Sequence, residues 1–290
     1  MNPYFLTGLY LILLQYNTID LEAPMDNLLK ILDPLHLEDL ANTEHPSIFD
    51  ENEAYDMLII RIPVIDTLLE ITSMGFIITP EKSYYYEKSE KNFQVFDDRF
   101  NGPYKTIDTV VDRLLKAFSK YKDLIADMEE FLYLDKNTGS FMTQWMDLKR
   151  DILRIERVLL RTSETMQEVI EYYEVLEEFP INHYVDLHEH LDRITRSAGH
   201  QLSKLDYLYS FYNTRTNEKM NSLIFALTII SAVFLPLNLV VGFFGMNTSG
   251  LPFAQGDIGT LKAVALMGTL MIITSIIVYL SYKKIKISKE

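Results

Sequence analysis

The sequence predicts an α+β membrane protein: an N-terminal α/β cytoplasmic domain, long stalk helices and a C-terminal two-helix transmembrane hairpin. Three observations predict it. Leu223–Met246 and Ala263–Tyr282 run for 24 and 20 residues without a charged side chain. From Ile107 onward apolar residues recur at helical spacing. Before residue 104 they fall instead in short β-branched and aromatic runs.

Composition narrows the functional classes. No residue among the 290 is a cysteine, which excludes a disulfide scaffold, Cys-ligated zinc, an iron–sulfur cluster and a thiol nucleophile. With 27 Lys+Arg against 41 Asp+Glu the net charge is -14, so a general nucleic-acid binder is not expected. The charge is unevenly placed. From Asn217 to the end, six lysines oppose three acids; the preceding 216 residues carry 21 basic side chains against 38 acidic ones. A large acidic part precedes a small, apolar, mildly basic one.

The elements follow in order. Tyr4–Leu14 is apolar, but no Lys or Arg precedes it, so a buried strand is expected there rather than a signal peptide. Strands are predicted at Phe5–Gln15, Tyr55–Ile62, Gly75–Thr79, Tyr84–Tyr86 and Asn92–Phe96, and short helices at Pro24–Asp33 and Leu35–Leu40. Asn101-Gly102-Pro103 marks a boundary. Ile107, Val110, Val111, Leu114, Leu115, Phe118, Tyr121, Leu124, Ile125 and Met128 line one helix, which Asn137-Thr138-Gly139-Ser140 ends. Phe141–Leu176 is a second helix, stopped by Pro180. A third begins near Tyr184 and meets no strong breaker before Asn221, Gly199 being its weak point. It is expected to run into the first span as one rod of about 60 residues, roughly 90 Å long. The division is then 1–104 for the α/β domain, 105–220 for the stalk, 221–246 and 263–282 for the spans, 247–262 for the loop between them and 283–290 for a basic tail.

Each uncharged segment is long enough to cross about 30 Å of hydrocarbon. The loop between them contains Gly250, Pro252, Gly256 and Gly259 and one lysine. Lys283, Lys284, Lys286 and Lys289 follow the second span, and Arg215 and Lys219 precede the first. The positive-inside rule places both ends of the hairpin in the cytoplasm.

Two spans cannot enclose a water-filled path, so a pore needs several copies. Stepping by three and four from Asn221 gives Asn221, Ile224, Thr228, Ser231, Leu235, Asn238, Gly242 and Gly245. That stripe gathers most of the small and polar residues of the span. Such residues face a bundle interior at lower cost than lipid, but they also mediate plain helix packing, and the stripe alone does not decide between the two.

The first span closes on Phe243-Phe244-Gly245-Met246-Asn247. A Gly-Met-Asn triplet at that place, behind an acidic soluble part and ahead of a basic tail, resembles the CorA family of divalent-cation channels. So do the run Leu227–Leu237, the segment Pro34-Leu35-His36-Leu37-Glu38-Asp39-Leu40 and the segment Asp186-Leu187-His188-Glu189-His190. The resemblance covers essentially the whole chain. It implies a homopentameric funnel in the inner membrane, with no resident cofactor and Mg2+ as both transported and regulatory ion. Gly245, Met246 and Asn247 would form the selectivity filter, where a ring of Asn247 amides hydrogen-bonds the tightly held water shell of Mg2+. Asn247 also suits a helix C-cap, and the two roles are compatible. Ile224, Leu227 and Leu235 match the family's hydrophobic gate, which closes by dewetting, with Asn221, Thr228, Ser231 and Asn238 as polar rungs. Leu227 lies one step off the stripe, where plain packing explains it equally well.

The family senses cytoplasmic Mg2+ through carboxylates between neighbouring soluble domains. Asp186 stands at the matching place with Glu189 one turn on; Asp97 and Asp98 are candidates for the partner acid. A solvated helix face is the plainer reading of Asp186 and Glu189. His188 and His190 do not share a helix face, and with His36 and His45 they read as surface or core histidines.

The chain departs from the family after the triplet. Where Mg2+-type members usually carry Met-Pro-Glu-Leu, it has Thr248-Ser249-Gly250-Leu251-Pro252-Phe253, without the acid that concentrates dications at the mouth. That keeps Zn2+ or Co2+ transport, including a proton-coupled carrier of the ZntB type, as an alternative. A membrane potential of 100 mV is worth about 4.6 kcal/mol to a dication, which favours influx without ATP. From a different class, a membrane-anchored sensor or scaffold would show no flux and tolerate Asn247→Ala. An enzyme is not expected: no nucleophile–base pair and no phosphate loop is present.

Overall fold

The computed structural model describes residues 28–134, 138–246 and 258–287. Among them the order is α1 (Pro34–Ala41), β1 (Ile48–Asp50), β2 (Asp56–Ile65), β3 (Leu69–Ile78), β4 (Ser83–Glu87), β5 (Asn92–Phe96), α2 (Asn101–Tyr133), α3 (Phe141–Tyr173), α4 (Ile181–Phe244) and α5 (Gly259–Ile287). The chain divides after Tyr209 into two compact units.

In the first unit the five strands form an antiparallel meander in sequence order. Side chains alternate along each strand, so one sheet has two faces to cover. Met57 and Ile59 of β2, Ile77 of β3, Tyr84 and Tyr86 of β4 and Phe93 of β5 cluster with Leu28, Leu32 and Leu40. The even-numbered Leu58, Ile60 and Ile62 of β2 are fully buried as well, and α2 and α3 both pack on that strand.

Helix α1 starts where its chemistry allows. The Asp33 carboxylate accepts from Leu35 N at 2.8 Å, and Pro34 sits in the first turn, where its missing N–H is not needed. Its Leu40 lies directly on Gly75: a Cβ there would stand 2.5 Å from Leu40 Cδ2. Gly75→Val is therefore expected to cost about 3 kcal/mol through overpacking. Urea unfolding followed by circular dichroism checks this, and Leu40→Ala in the same chain should recover part of the loss. At Gly102 a Cβ would meet the Phe96 ring at 2.3 Å, so glycine is what lets α2 start against β5.

Several buried polar groups pair across elements. The Tyr173 hydroxyl donates to Asp56 Oδ2 at 2.5 Å, and Tyr184 donates to Phe100 O at 2.9 Å. Thr162 of α3 donates to Arg61 O at 2.6 Å and meets the Ser47 hydroxyl at 2.9 Å, which itself accepts from Arg61 N. These bonds fix α3 in register on the sheet.

Several expected boundaries change. β3 begins at Leu69 rather than Gly75, β2 runs three residues further than expected, and β1 was not anticipated. Asn101-Gly102-Pro103, expected as a boundary, stands where the strands give way to α2 and forms the first turn of that helix. The second helix stops at Tyr173 instead of Leu176. The predicted Phe5–Gln15 strand lies outside the described residues, and the Pro24–Asp33 helix is described only from Leu28, helical to Ile31. The uninterrupted third helix is found: α4 has 64 residues, with Gly199 inside it.

In the second unit, the α4 segment from Asn221 to Phe244 has no charged side chain and no buried residue. Among the described residues, α4 is the one helix long and apolar enough to cross a membrane; a shorter apolar stretch, Val264–Tyr279, lies in α5.

Candidate functional site

Two stripes of α2 and α4 meet in the first unit. On α2, Tyr104, Asp108 and Asp112 are spaced four apart; on α4, His183, Asp186 and His190 follow at three and four. Ligand atoms of Asp108, Asp112 and His190 all lie within 4.8 Å of one another. Asp186 joins the group through its Oδ1, 3.7 Å from His190 Nε2. His190 Nδ1 is buried without a hydrogen-bond partner. The Tyr104 ring stacks on His183, with centroids 4.9 Å apart and planes 16° apart.

The electrostatics are those of crowded acids. Burial pushes the Asp108 carboxyl above its ordinary range, Asp112 adds to the rise and His190 opposes it. Tyr104 is raised for the same reasons, burial first and then Asp108. Carboxylates and an imidazole at this spacing are a ligand set for a divalent cation. The oxygens suit Mg2+, while the imidazole suits Zn2+ or Co2+.

The structure thus brings expected Asp186 together with Asp108, Asp112 and His190, which the sequence reading did not place there. Glu189 is exposed and outside the group. Asp98 accepts from Phe100 N and Asn101 N at 2.8 and 2.6 Å, binding the first turn of α2. His36 and His45 lie beside Asp50 at 3.0 Å and Asp39 at 3.5 Å, apart from the group.

In the second unit the expected pore residues Asn221, Ile224, Leu227, Thr228, Ser231, Leu235 and Asn238 are all exposed in the single chain. The partly covered residues Phe225, Ile229, Ala232, Val233, Pro236, Leu237, Val240 and Phe244 follow a different stripe of the same helix. Thr228 donates to Ile224 O at 2.8 Å, which satisfies its hydroxyl within the helix. Gly245 and Met246 form the last turn, where Gly245 N donates to Val241 O at 2.8 Å. Asn247 lies outside the described residues.

The family model for CorA-like Mg2+ transporter proteins matches residues 98–284. The cobalt/magnesium transport protein CorA of Thermotoga maritima is 24% identical over 271 residues, covering 87% of this chain and 76% of its own. The Bacillus subtilis protein YfjQ is 26% identical over 170 residues, and the chain spans only 53% of that relative's length. The CorA magnesium transporter from Methanocaldococcus jannaschii shares the fold at a TM-score of 0.70 and 17% identity, over 87% of this chain and 84% of that one.

Proposed function

Because the chain belongs to the CorA-like Mg2+ transporter family, we propose that it is a membrane channel through which Mg2+ enters the cell, driven by the membrane potential. The family is one of ion transporters, not of enzymes. The observation that carries the reading is helix α4: charged on one side and packed on the other up to Leu208, then uncharged and exposed from Asn221 to Phe244. Exposed apolar surface of that extent needs lipid or further copies of the chain.

In this reading the protein is a homopentamer of the inner membrane. Residues 221–246 line the path, 263–282 form the second span, and both termini are cytoplasmic. Five Asn247 side chains select the hydrated ion, and Leu235, Leu227 and Ile224 close the path. The cluster of Asp108, Asp112, Asp186 and His190 binds cytoplasmic cation. Without it three acids repel; with it the repulsion is relieved and the closed state is favoured. This feedback halts uptake when the internal ion is plentiful.

Zn2+ or Co2+ as cargo, with or without coupled protons, is a second reading, favoured by the His190 imidazole at the cluster. Purified protein in liposomes separates the two, with Mg2+ and Zn2+ offered in turn, with and without a pH gradient. Mg2+ uptake that needs only a negative interior and disappears in Asn247→Ala is the expected result. Zn2+ uptake that follows the pH gradient would establish the second reading. Absence of flux under every condition would leave a membrane-anchored sensor and overturn both.

A further inference from the structure

We propose that Lys88 takes up carbon dioxide as a carbamate, held by the Arg61 guanidinium and the Ser73 hydroxyl at the end of α1. Nothing in this depends on what the chain transports.

Two neighbouring strands and the helix that covers them build the site. Arg61 of β2 and Ser73 of β3 stand opposite each other in the antiparallel ladder. Arg61 follows Met57 and Ile59 at two-residue spacing, so its side chain leaves the sheet on the face that α1 covers. The contact of Leu40 with Gly75, two residues beyond Ser73, brings the end of α1 down on that face. There Arg61 Nη1 donates to Glu44 O at 3.1 Å. Lys88, in the turn between β4 and β5, reaches the same place. Its Nζ donates to the carbonyl of Asn42, the C-cap of α1, at 3.1 Å and to Ser73 Oγ at 3.0 Å.

Two cations thus converge where no acid answers them. Among the described residues neither Arg61 nor Lys88 belongs to an ion pair. Ser73 is buried, and Arg61 Nε is buried without a hydrogen-bond partner. Cations at the C-terminal end of a helix are ordinary, and capping accounts for the bonds to Asn42 O and Glu44 O. It leaves the sealed Nε–H unused and two like charges side by side. An anion placed among them answers both.

A dissolved anion would have to shed its water to reach a nitrogen closed to solvent, which is costly. A carbamate is made in place from a small uncharged molecule. It needs a lysine that gives up its proton readily. Burial first, and Arg61 next, push the Lys88 ammonium down to about 8. The free amine attacks the carbon of CO2. The N–C bond forms, one C–O π pair moves onto oxygen, and a proton leaves the nitrogen for water. The product carries a negative charge where the ammonium carried a positive one, so repulsion from Arg61 becomes attraction. One N–H remains for Asn42 O. The Ser73 hydroxyl, which accepts from the ammonium, turns to donate to a carbamate oxygen.

The test supplies full-length protein with isotopically labelled bicarbonate at a pH of about 8. An alkylating oxonium salt then fixes carbamates as esters, and peptide masses locate them. The expected result is label on Lys88 well above that on the exposed Lys116 and Lys120, and none at this position in Lys88→Arg. Arg61→Lys keeps a positive charge beside Lys88 and loses the Nε–H. It should lower the label about tenfold, the worth of one hydrogen bond to a charged group. Ser73→Ala should act in the same direction and serves where Arg61→Lys does not fold. Label on Lys88 no higher than on Lys116 and Lys120 would overturn the carbamate. Label that neither Arg61→Lys nor Ser73→Ala lowers would show a lysine that reacts unaided, and overturns the site. Inorganic phosphate in excess that abolishes the label would assign the two cations to a dissolved anion, and also overturns the proposal.

Discussion

Exchanging Asp108, Asp112 and Asp186 together for asparagine should leave ion uptake running at internal Mg2+ levels that shut the wild type. The inhibitory midpoint is expected to rise about a hundredfold, since even the outer partners of metal ligands are worth ten- to a hundredfold in affinity. Asparagine keeps the shape and removes the charge, so packing is retained. Flux into liposomes loaded with graded Mg2+ measures the effect. A pH effect accompanies it. Burial first, and Asp112 next, raise the Asp108 carboxyl, so protons compete with cation at pH values where an ordinary carboxylate stays ionised. Mild acidification should therefore weaken inhibition. The sign for stability is opposite. A group that binds its proton more tightly in the folded state stabilises the fold as pH falls through its raised value. Cation-free protein should accordingly gain thermal stability over the interval in which cation sensing is lost.

Tyr173→Phe should destabilise the chain by about 3 kcal/mol, although it removes a single oxygen. Tyr173 is fully buried and donates to Asp56, itself 5% exposed, at 2.5 Å. Burial and the Asp56 carboxylate both push the phenol far above its ordinary range. The Phe100 ring lies 4.9 Å from the Tyr173 ring and the Arg99 guanidinium 5.3 Å from it, so the ring packing survives the change and only the hydrogen bond is lost. What remains is a buried acid without its donor, which costs more than the bond contributed. The thermal midpoint of the full chain should fall by several degrees. Asp56→Ala combined with Tyr173→Phe should cost less than the sum of the two single changes, because they remove one interaction.

The helices were legible because their signals are local. Apolar side chains at three- and four-residue spacing run from Ile107 to Leu208, and the uncharged span from Asn221 needs no tertiary context to be seen. The strand edges were less legible. β1 has three residues, too few for an alternating pattern. The first half of β3, Leu69–Met74, mixes Glu70, Thr72 and Ser73 with apolar neighbours and is defined only by its pairing with Ile60–Ile65 of β2. Gly102-Pro103 reads as a boundary because such a pair marks turns and loops, and the helix it opens was not legible there although proline is favoured in a first turn. The cluster was only half legible. Asp186 came from a resemblance, and His190 was set aside because its sequence neighbours share no face with it. Its partners Asp108 and Asp112 lie about 80 positions away on another helix, a distance across which no spacing rule operates.

The meander of strands has a consequence for biosynthesis. Each described strand pairs with the one made just before it, and the five are complete between Ile48 and Phe96. Pairings this local form early and fast, because little chain has to be closed into a loop. The covering helices α2 and α3 are complete at Tyr173, and the first unit at Tyr209. All of this leaves the ribosome before the uncharged segment that starts at Asn221. The first unit, which holds the Asp108 cluster, can thus fold as a nascent domain, ahead of the uncharged segment.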